Sequence, residues 1–591
     1  MGQVEGTRHA ARRAGLAAGI AAAHLGIAIL LLRSALEPGT FPGGSRGEAW
    51  GRLFVTAQVG RWVRGEAPWL KADLAGWPTP ISFWPVDPLI QAVSVPLSAL
   101  LGDTAALTAV TIALVTLTGL GVTALARTLG ASAGRAVAAG LACQLAPYLI
   151  RNLTDLVLEV EAAGLLALAA AAMISAARAP DPRRLALAGL AVAALAATSP
   201  YYAIYLAMGA AIAAIAQPRR WRESLKLGAV GALACGLVLL PLGLAEGGSS
   251  GRLGPQYQGR GYHPTPGALV HASGRPWREA LPPEPQGQKH ALDELPEDQD
   301  GGLKGRKPGE KGAAAGPQQP QWSRLLARTP GGAVALLALC VGLLSRDGRR
   351  WALLGLVFYA GSPAPYRLAS MFGYPVGDGV GLIQELLQRL PLTNTLGNPM
   401  RALTPALILG FSSASLTLSR LRWLGAPLLP LLALAEAALH LPSLGAPATR
   451  ATGLDQTLRA LSGPTMVFPS GDPPAWHPSV YPKEVLFLAG RAGVPVPYDY
   501  GRGRTPADLW AQIALARIAD TPLGDSALHQ VRPQPDEATL WRELPFDQLL
   551  VLEDRLSAAQ LSALRGWLSA HATLQAEEPG GSVWTRPVIH E

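Results

Sequence analysis

Runs of apolar residues near 15–36, 105–126, 134–150, 157–177, 185–216, 224–245, 331–345, 350–361, 402–419 and 424–441 punctuate the 591-residue chain. An α-helix rises 1.5 Å per residue, so several of these runs can cross a hydrocarbon core about 30 Å thick. Only 15% of the residues are charged, against about 25% in soluble domains. The fold class that follows is an α-helical polytopic membrane protein. The opening, MGQVEGTRHAARRAG, is basic and leads into the first apolar run without an A-x-A cleavage motif, so it reads as a retained anchor.

A formal charge of +9 would suggest nucleic acid in a soluble protein. Here the cations sit in short loops beside apolar runs, which excludes nucleic acid as the partner and makes the charge a topology signal. The clusters Arg8/Arg12/Arg13, Arg127/Arg135, Arg178/Arg183/Arg184, Arg219/Arg220/Arg222/Lys226, Arg346/Arg349/Arg350 and Arg420/Arg422 all belong in the cytoplasm by the positive-inside rule. They can do so together only if 185–216 is two short spans broken at SPYY, and if 89–101, short and interrupted by Pro96, does not cross. The expectation is about eleven spans in the inner membrane, with the N-terminus inside and the C-terminal region outside the cytoplasm. Cys143, Cys235 and Cys340 lie within apolar runs and form no disulfide framework.

On this topology residues 37–104 form a first outer loop that carries five of the fifteen tryptophans, at 50, 62, 69, 77 and 84. Residues 47–64 read as a helix with Trp50, Leu53, Phe54 and Ala57 on one side and Glu48, Arg52 and Thr56 on a wet side. Indoles favour the headgroup level, so this loop is expected to lie on the outer membrane surface. In YLIRNLTDLVLEVEAAG, Asp155 and Glu159 are four apart and would share a helix face, whereas Glu161 points elsewhere. Carboxylates at the mouth of a span face a cavity or pair locally, here with Arg151.

TSPYYAIY places Tyr201 and Tyr202 at another outer turn, as belt anchors or as substrate contacts. NPMRALTP brings Arg401 to the outer start of a span, suited to an anionic headgroup or lipid phosphate, with Arg367 a second candidate; snorkelling is the plainer role for either. Glu436 and His440, one turn apart, suggest a structural hydrogen bond between helices. Residues 246–328 form a long outer loop whose later part is so rich in Pro, Gly and charge that disorder is expected. From about 450 the pattern changes: TMVFPS and FDQLLVLED read as strands, SAAQLSALRGWLSAH as a helix, and GSVWTRP as a strand after a Gly-Gly turn. The expected division is therefore 1–445 transmembrane and 450–591 a small extracytoplasmic α/β domain. The tail has no G-x-S-x-G, no H-E-x-x-H and no clustered Cys/His ligands, so no catalysis is assigned to it.

The order of these parts over roughly 1–440 resembles the GT-C superfamily of membrane glycosyltransferases. A basic-flanked span precedes an outer loop with an acid, Glu48. WPVDPLIQAVSVPLSALLGDTAAL is similar to that family's proline-led segment before its second span. TGLGVTALARTLGASAGRAVAAGLACQLAPYLIRNLTDLVLEVEAAGLLALA resembles its l-A-R-x-L-G stretch, ending at a second acidic loop, and SPYYAIYLAM and NPMRALTPALIL have counterparts too. Two departures stand: Glu48 replaces the usual Asp, and the paired prolines are split as Pro85 and Pro88.

The resemblance implies a polyprenyl-phosphate-linked sugar as donor and a glycan, lipid or protein of the cell envelope as acceptor. It casts Glu48 as general base, Asp155 or Glu159 as the acid that orients the acceptor or binds a metal, and Arg401 as the phosphate clamp. No cofactor is required by the sequence; a divalent metal is compatible with it. Two other classes compete. A non-catalytic GT-C-like envelope-assembly protein would give each site residue a structural role. A transporter would place ionisable groups near the bilayer midplane, whereas 105–126 carries no charge and 134–150 and 224–245 carry only Arg135 and Lys226, each within the first three residues of its run.

Overall fold

The computed structural model describes residues 2–44, 48–75, 81–82, 87–216, 221–248, 333–362, 399–418, 425–440, 446–450, 453–469, 483–496, 498–499, 503–504, 515, 518–519 and 546–586. Arg367 and the loop expected to be disordered lie outside these residues, as do the side chains of Asp155, Glu159 and His440. The described chain divides into two compact units, one of residues 2–49, 87–248 and 333–450, the other of 50–82 and 453–586. Compactness thus cuts the chain differently from the expected boundary near 445, because part of the first outer loop joins the tail.

The first unit is helical. Its elements are α1 (Gly2–Leu31), α3 (Pro88–Leu101), α4 (Asp103–Leu129), α5 (Ala133–Gln144), α6 (Pro147–Asp155), α7 (Leu158–Glu161), α8 (Ala163–Arg178), α9 (Pro182–Ala196), α10 (Pro200–Ala216), α11 (Trp221–Gly248), α12 (Ala333–Leu343), α13 (Arg346–Ala360), α14 (Leu403–Thr417) and α15 (Gly425–His440); α2 (Ala49–Val63) begins at its edge. Among the described residues, Ala14–Leu31 and Asp103–Leu129 are long and apolar enough to cross a membrane. The pair Ala133–Gln144 and Pro147–Thr154, bent by 41°, makes a third when taken as one span. The other apolar helices have 10–17 residues, or about 15–26 Å of rise. The run 185–216 is broken as expected: α9 ends before Thr198 and Ser199, and Pro200, which has no N–H to donate, opens α10.

Central α4 packs on α1, α3, α5, α8 and α14. Its contact with α8 is backbone to backbone, since a Cβ on Gly121 would strike the Gly164 carbonyl and one on Gly164 would strike that of Leu117. Close approach through small residues is how helices associate where lipid offers no hydrophobic contrast. A buried polar knot joins α1, α4 and α5. His24 Nδ1 lies 2.7 Å from Gln144 Oε1 and Nε2 lies 3.0 Å from Thr123 Oγ1, while the Gln144 amide donates to the carbonyls of His24 and Val115. Because that amide is committed to carbonyls, Oε1 faces the imidazole and Nδ1 must carry hydrogen.

Two short strands, β1 (Thr40–Pro42) and β4 (Ala448–Arg450), pair antiparallel with Phe41 opposite Thr449. Ser34 Oγ donates to the Ala446 carbonyl at 2.7 Å and Thr449 Oγ1 to that of Gly43 at 2.7 Å. The segments that follow α1 and α15 are thereby clasped together. Glu436 is buried and accepts from the Val334 amide at 3.2 Å, so it does bond between helices, through the orphan N–H groups at the start of α12.

In the second unit, β2 (Lys71–Ala72) pairs with β3 (Ile81–Ser82) and β6 (Tyr498–Asp499) with β7 (Gly503–Arg504), while β5 (Thr465–Phe468), β8 (Gln548–Leu552), β9 (Thr573–Glu578) and β10 (Gly581–Thr585) form a sheet ordered β5-β8-β10-β9. β5 runs parallel to β8 and the other pairs are antiparallel, with Leu550 opposite both Val467 and Val583. α18 (Ala558–His571) begins at a capping box between Ser557 and Gln560 and packs Leu564 and Leu568 into the core with Met466, Leu549 and Trp584. α16 (Asp455–Arg459) and α17 (Lys483–Ala492) complete the described helices.

Two tryptophans of the first outer loop are covered by protein, whereas Trp69 is exposed and Trp77 and Trp84 lie outside the described residues. Trp50 and Trp62 are buried, Trp50 lies against Phe487 of α17 with ring centroids 5.1 Å apart, and Gly490 approaches Phe54 and Ala57. The expected wet face is buried as well, at Arg52 and Thr56. Apolar residues on one side of an isolated helix signal burial without naming the partner, and here the partner is protein.

Candidate functional site

Three helix starts meet in the first unit. Tyr148 is the second residue of α6, Tyr202 the third of α10 and Thr404 the second of α14. Proline occupies the first position of α6 and α10, with its fixed φ suited to that place. Tyr202 Oη lies 2.8 Å from Thr404 Oγ1, and the Tyr148 hydroxyl bonds the same threonine. Tyr202 and Thr404 are fully buried. Helix N-termini carry partial positive charge from their unpaired N–H groups, and residues near three of them meet here.

Arg401 adds a full charge. It lies in a 3-10 turn, Pro399–Ala402, that leads into α14, and its guanidinium carbon sits 3.8 Å above the ring of Tyr201. Its charge reaches Tyr148, Tyr202 and Tyr205. Stacking on an aromatic face holds the guanidinium plane, with its N–H donors at the edge of that plane. The sequence-derived residues Tyr201, Tyr202 and Arg401 are therefore brought together.

The acid of this cluster is Glu161. It is buried, lies within electrostatic reach of Tyr148, Tyr202 and Cys143, and its Oε1 has no hydrogen-bond partner among the described residues. Its carbonyl accepts from Thr118 Oγ1 of α4 at 3.0 Å, which anchors the turn. The expected Asp155–Glu159 face does not form. Asp155 ends α6 and Glu159 lies in α7, separated by Leu156 in the left-handed region at φ 50°. Four-residue spacing aligns side chains only within one continuous helix.

Glu48 stands half-buried in the turn before α2. The chain leading to it is tied to the end of α6, since the Gly44 amide donates to the Thr154 carbonyl at 2.6 Å and Gly43, at φ +105°, lies against Leu156. The backbone thus brings the first outer acid beside the Asp155 end of α6. Glu161, Tyr148 and Thr404 are absent from the sequence-derived set. Two signals pointed to the last pair: Tyr148 follows Pro147 as Tyr201 follows Pro200, and Thr404 stands three residues beyond Arg401. Among the described residues no group of three or more His, Cys, Asp or Glu gathers to hold a metal ion.

No protein-family model matches the sequence, and no curated protein matches it. Solved structures do. A mycobacterial arabinofuranosyltransferase, AftD, matches over 98% of this chain at 15% identity and a TM-score of 0.49. The archaeal oligosaccharyltransferase AglB from Archaeoglobus fulgidus, in complex with an inhibitory peptide and a dolichol-phosphate, matches over 96% at 10% identity and 0.45. ArnT from Cupriavidus metallidurans, in the apo state, matches over 97% at 14% identity and 0.40. These neighbours are GT-C glycosyltransferases. The chain spans 40% of the AftD chain, 74% of AglB and 98% of ArnT. At 10–15% identity no residue role carries across, so roles are argued from this chain's own side chains.

Proposed function

We propose that this chain is a membrane glycosyltransferase. It moves a sugar from a polyprenyl-phosphate donor to a cell-envelope acceptor on the outer face of the inner membrane. One observation carries the reading: Arg401, stacked on Tyr201, stands where the starts of α6, α10 and α14 meet. That arrangement is built for an anion at the mouth of apolar helices, which is where a lipid-borne phosphate presents itself.

In the reaction the acceptor O–H attacks the anomeric carbon, the bond from that carbon to the phosphate oxygen breaks, and the lipid phosphate leaves with the electron pair. Arg401 and the helix starts stabilise the charge that grows on the leaving oxygen. Glu48 takes the acceptor proton, and Glu161 supplies a second, buried carboxyl group. About eleven spans with a cytoplasmic N-terminus put these groups and the C-terminal tail on the same outer side.

Membranes that carry the chain should transfer labelled sugar from a polyprenyl-phosphoryl donor, with arabinofuranose and mannose as the sugars assayed. Arg401→Gln should lose nearly all transfer while remaining folded in detergent, and Glu48→Gln should lose about 10²–10⁴ in rate. Undiminished transfer by Arg401→Gln would overturn the assignment of the phosphate to this site.

A further inference from the structure

The loop that joins α2 to β2 is held more firmly than a connection requires. α2 ends in a Schellman arrangement: Gly65 lies at φ 72°, its amide donates to the Trp62 carbonyl, and the Glu66 amide donates to that of Arg61. A β-turn follows, closed by the Lys71 amide on the Pro68 carbonyl at 3.1 Å, and its third residue, Leu70, lies at φ 61°. That position favours glycine, so a leucine there is strained. Side chains of α2 pin the far end of the turn. Gln58 Nε2 and Trp62 Nε1 donate to the Lys71 carbonyl at 3.0 and 2.7 Å, and Arg61 pairs with Asp73 at 2.8 Å. What the turn presents is Trp69, whose residue is 61% exposed although Trp62 lies against it with ring centroids 5.4 Å apart. Backbone strain and exposed indole both cost stability, and such costs persist where they serve a function.

We propose that Trp69 is a stacking platform for an uncharged saccharide, the sugar run of a glycan acceptor. This deepens the proposed function and rests on it for the glycan's role as acceptor. The C–H face of a sugar ring is apolar and slightly positive, and it matches the negative face of an indole. The charges of the same loop suit hydroxyls better than a lipid surface. Arg64 donates twice to Glu66, at 2.6 and 3.0 Å, and the pair is neutral as a whole. A sugar hydroxyl both donates and accepts, so it can add to either member of such a pair, whereas an anionic headgroup is repelled by the carboxylate. All of these residues belong to the second unit. Trp69 is a binding residue in this scheme, so its loss should weaken acceptor binding and leave the chemical step alone.

The test measures binding of a linear arabinofuranose hexasaccharide and a linear mannose hexasaccharide to the full chain in nanodiscs. The parent should bind at least one of them. Trp69→Ala should weaken that binding about five- to tenfold, and Trp69→Tyr, which keeps an aromatic face, should retain most of it. If Trp69→Ala does not fold, Trp69→Leu keeps apolar bulk without a flat face and should weaken binding likewise. With the bound hexasaccharide as acceptor, Trp69→Ala should raise its KM at unchanged kcat. A parent that binds neither hexasaccharide, or a Trp69→Ala variant with parental affinity, overturns the platform. So does a nitroxide attached through Trp69→Cys, in a chain without Cys143, Cys235 and Cys340, that oxygen reaches more readily than a water-soluble relaxant does, because position 69 would then sit in lipid. A chain that binds glycan through Trp69 but transfers no sugar overturns the proposed function and leaves the saccharide site in place.

Discussion

Glu161 is an expensive residue to keep for stability, because a buried carboxylate oxygen without a hydrogen-bond partner forgoes its hydration and regains nothing. Glu161→Gln keeps the shape and removes the acid, so its thermal midpoint in detergent should equal or exceed the parent's while sugar transfer falls. A lower midpoint with unchanged transfer would make the residue a structural prop. Gly43 poses the opposite case. Its φ of +105° disfavours any side chain, and a Cβ added there would lie 3.2 Å from the Leu156 Cβ, tighter than ordinary contact. Gly43→Ala should cost about 1–3 kcal/mol. Gly39→Ala, at φ +75° with nothing within 4 Å, should cost less and separates backbone strain from contact. Thermal unfolding of both variants checks this. Arg401 was legible in the sequence as a cation at a span mouth, but Tyr201 lies two hundred positions away, and no periodicity links such a pair. Glu161 was missed because the face argument assumed one helix through Leu156.

At the scale of elements, the His24 knot holds three helices by bonds that water cannot replace. His24→Ala would strand Gln144 Oε1 inside the bundle and should cost about 1–3 kcal/mol, read as a lower unfolding midpoint in detergent; His24→Ala at the parental midpoint would mean the knot is slack. In the second unit Glu578 of β9 holds the start of α16. Partial burial raises its affinity for a proton, but bonds from the Thr457 hydroxyl and amide outweigh it and hold the carboxyl below its ordinary range. A depressed carboxylate stabilises the fold above its unfolded pKa and loses that contribution as pH falls through its folded pKa. Protection of the Thr457 amide against exchange, relative to its intrinsic rate at each pH, should therefore fall on acidification below the usual carboxylate range, and Glu578→Gln should show low protection already at neutral pH. The tail's strands and its capped helix were readable because alternation, Gly-Gly and Ser-x-x-Gln are local signals. The burial of α2 against α17 was not, since an amphipathic helix looks the same whether lipid headgroups or Phe487 cover it.

For the whole molecule the open question of sidedness has a direct answer. In a variant with Cys143, Cys235 and Cys340 replaced by Ala, Ala570→Cys puts a thiol on an exposed turn of α18. It should react with a membrane-impermeant reagent in intact spheroplasts; labelling only after permeabilisation would invert the proposed topology. The clasp between β1 and β4 has a consequence in time. Ser34 and Ala446 are 412 positions apart, and ribosomes add about 5–20 residues per second. The segment after the first helix therefore waits on the order of twenty to eighty seconds, through the insertion of every later helix of its unit, before its partner strand exists. During that interval the approach to Glu48 is held by its tie to Thr154 but lacks its partner strand, and the nascent chain is open to proteases at a place the finished protein protects. A ribosome stalled before residue 446 should leave this segment cleavable, and release past 450 should close it.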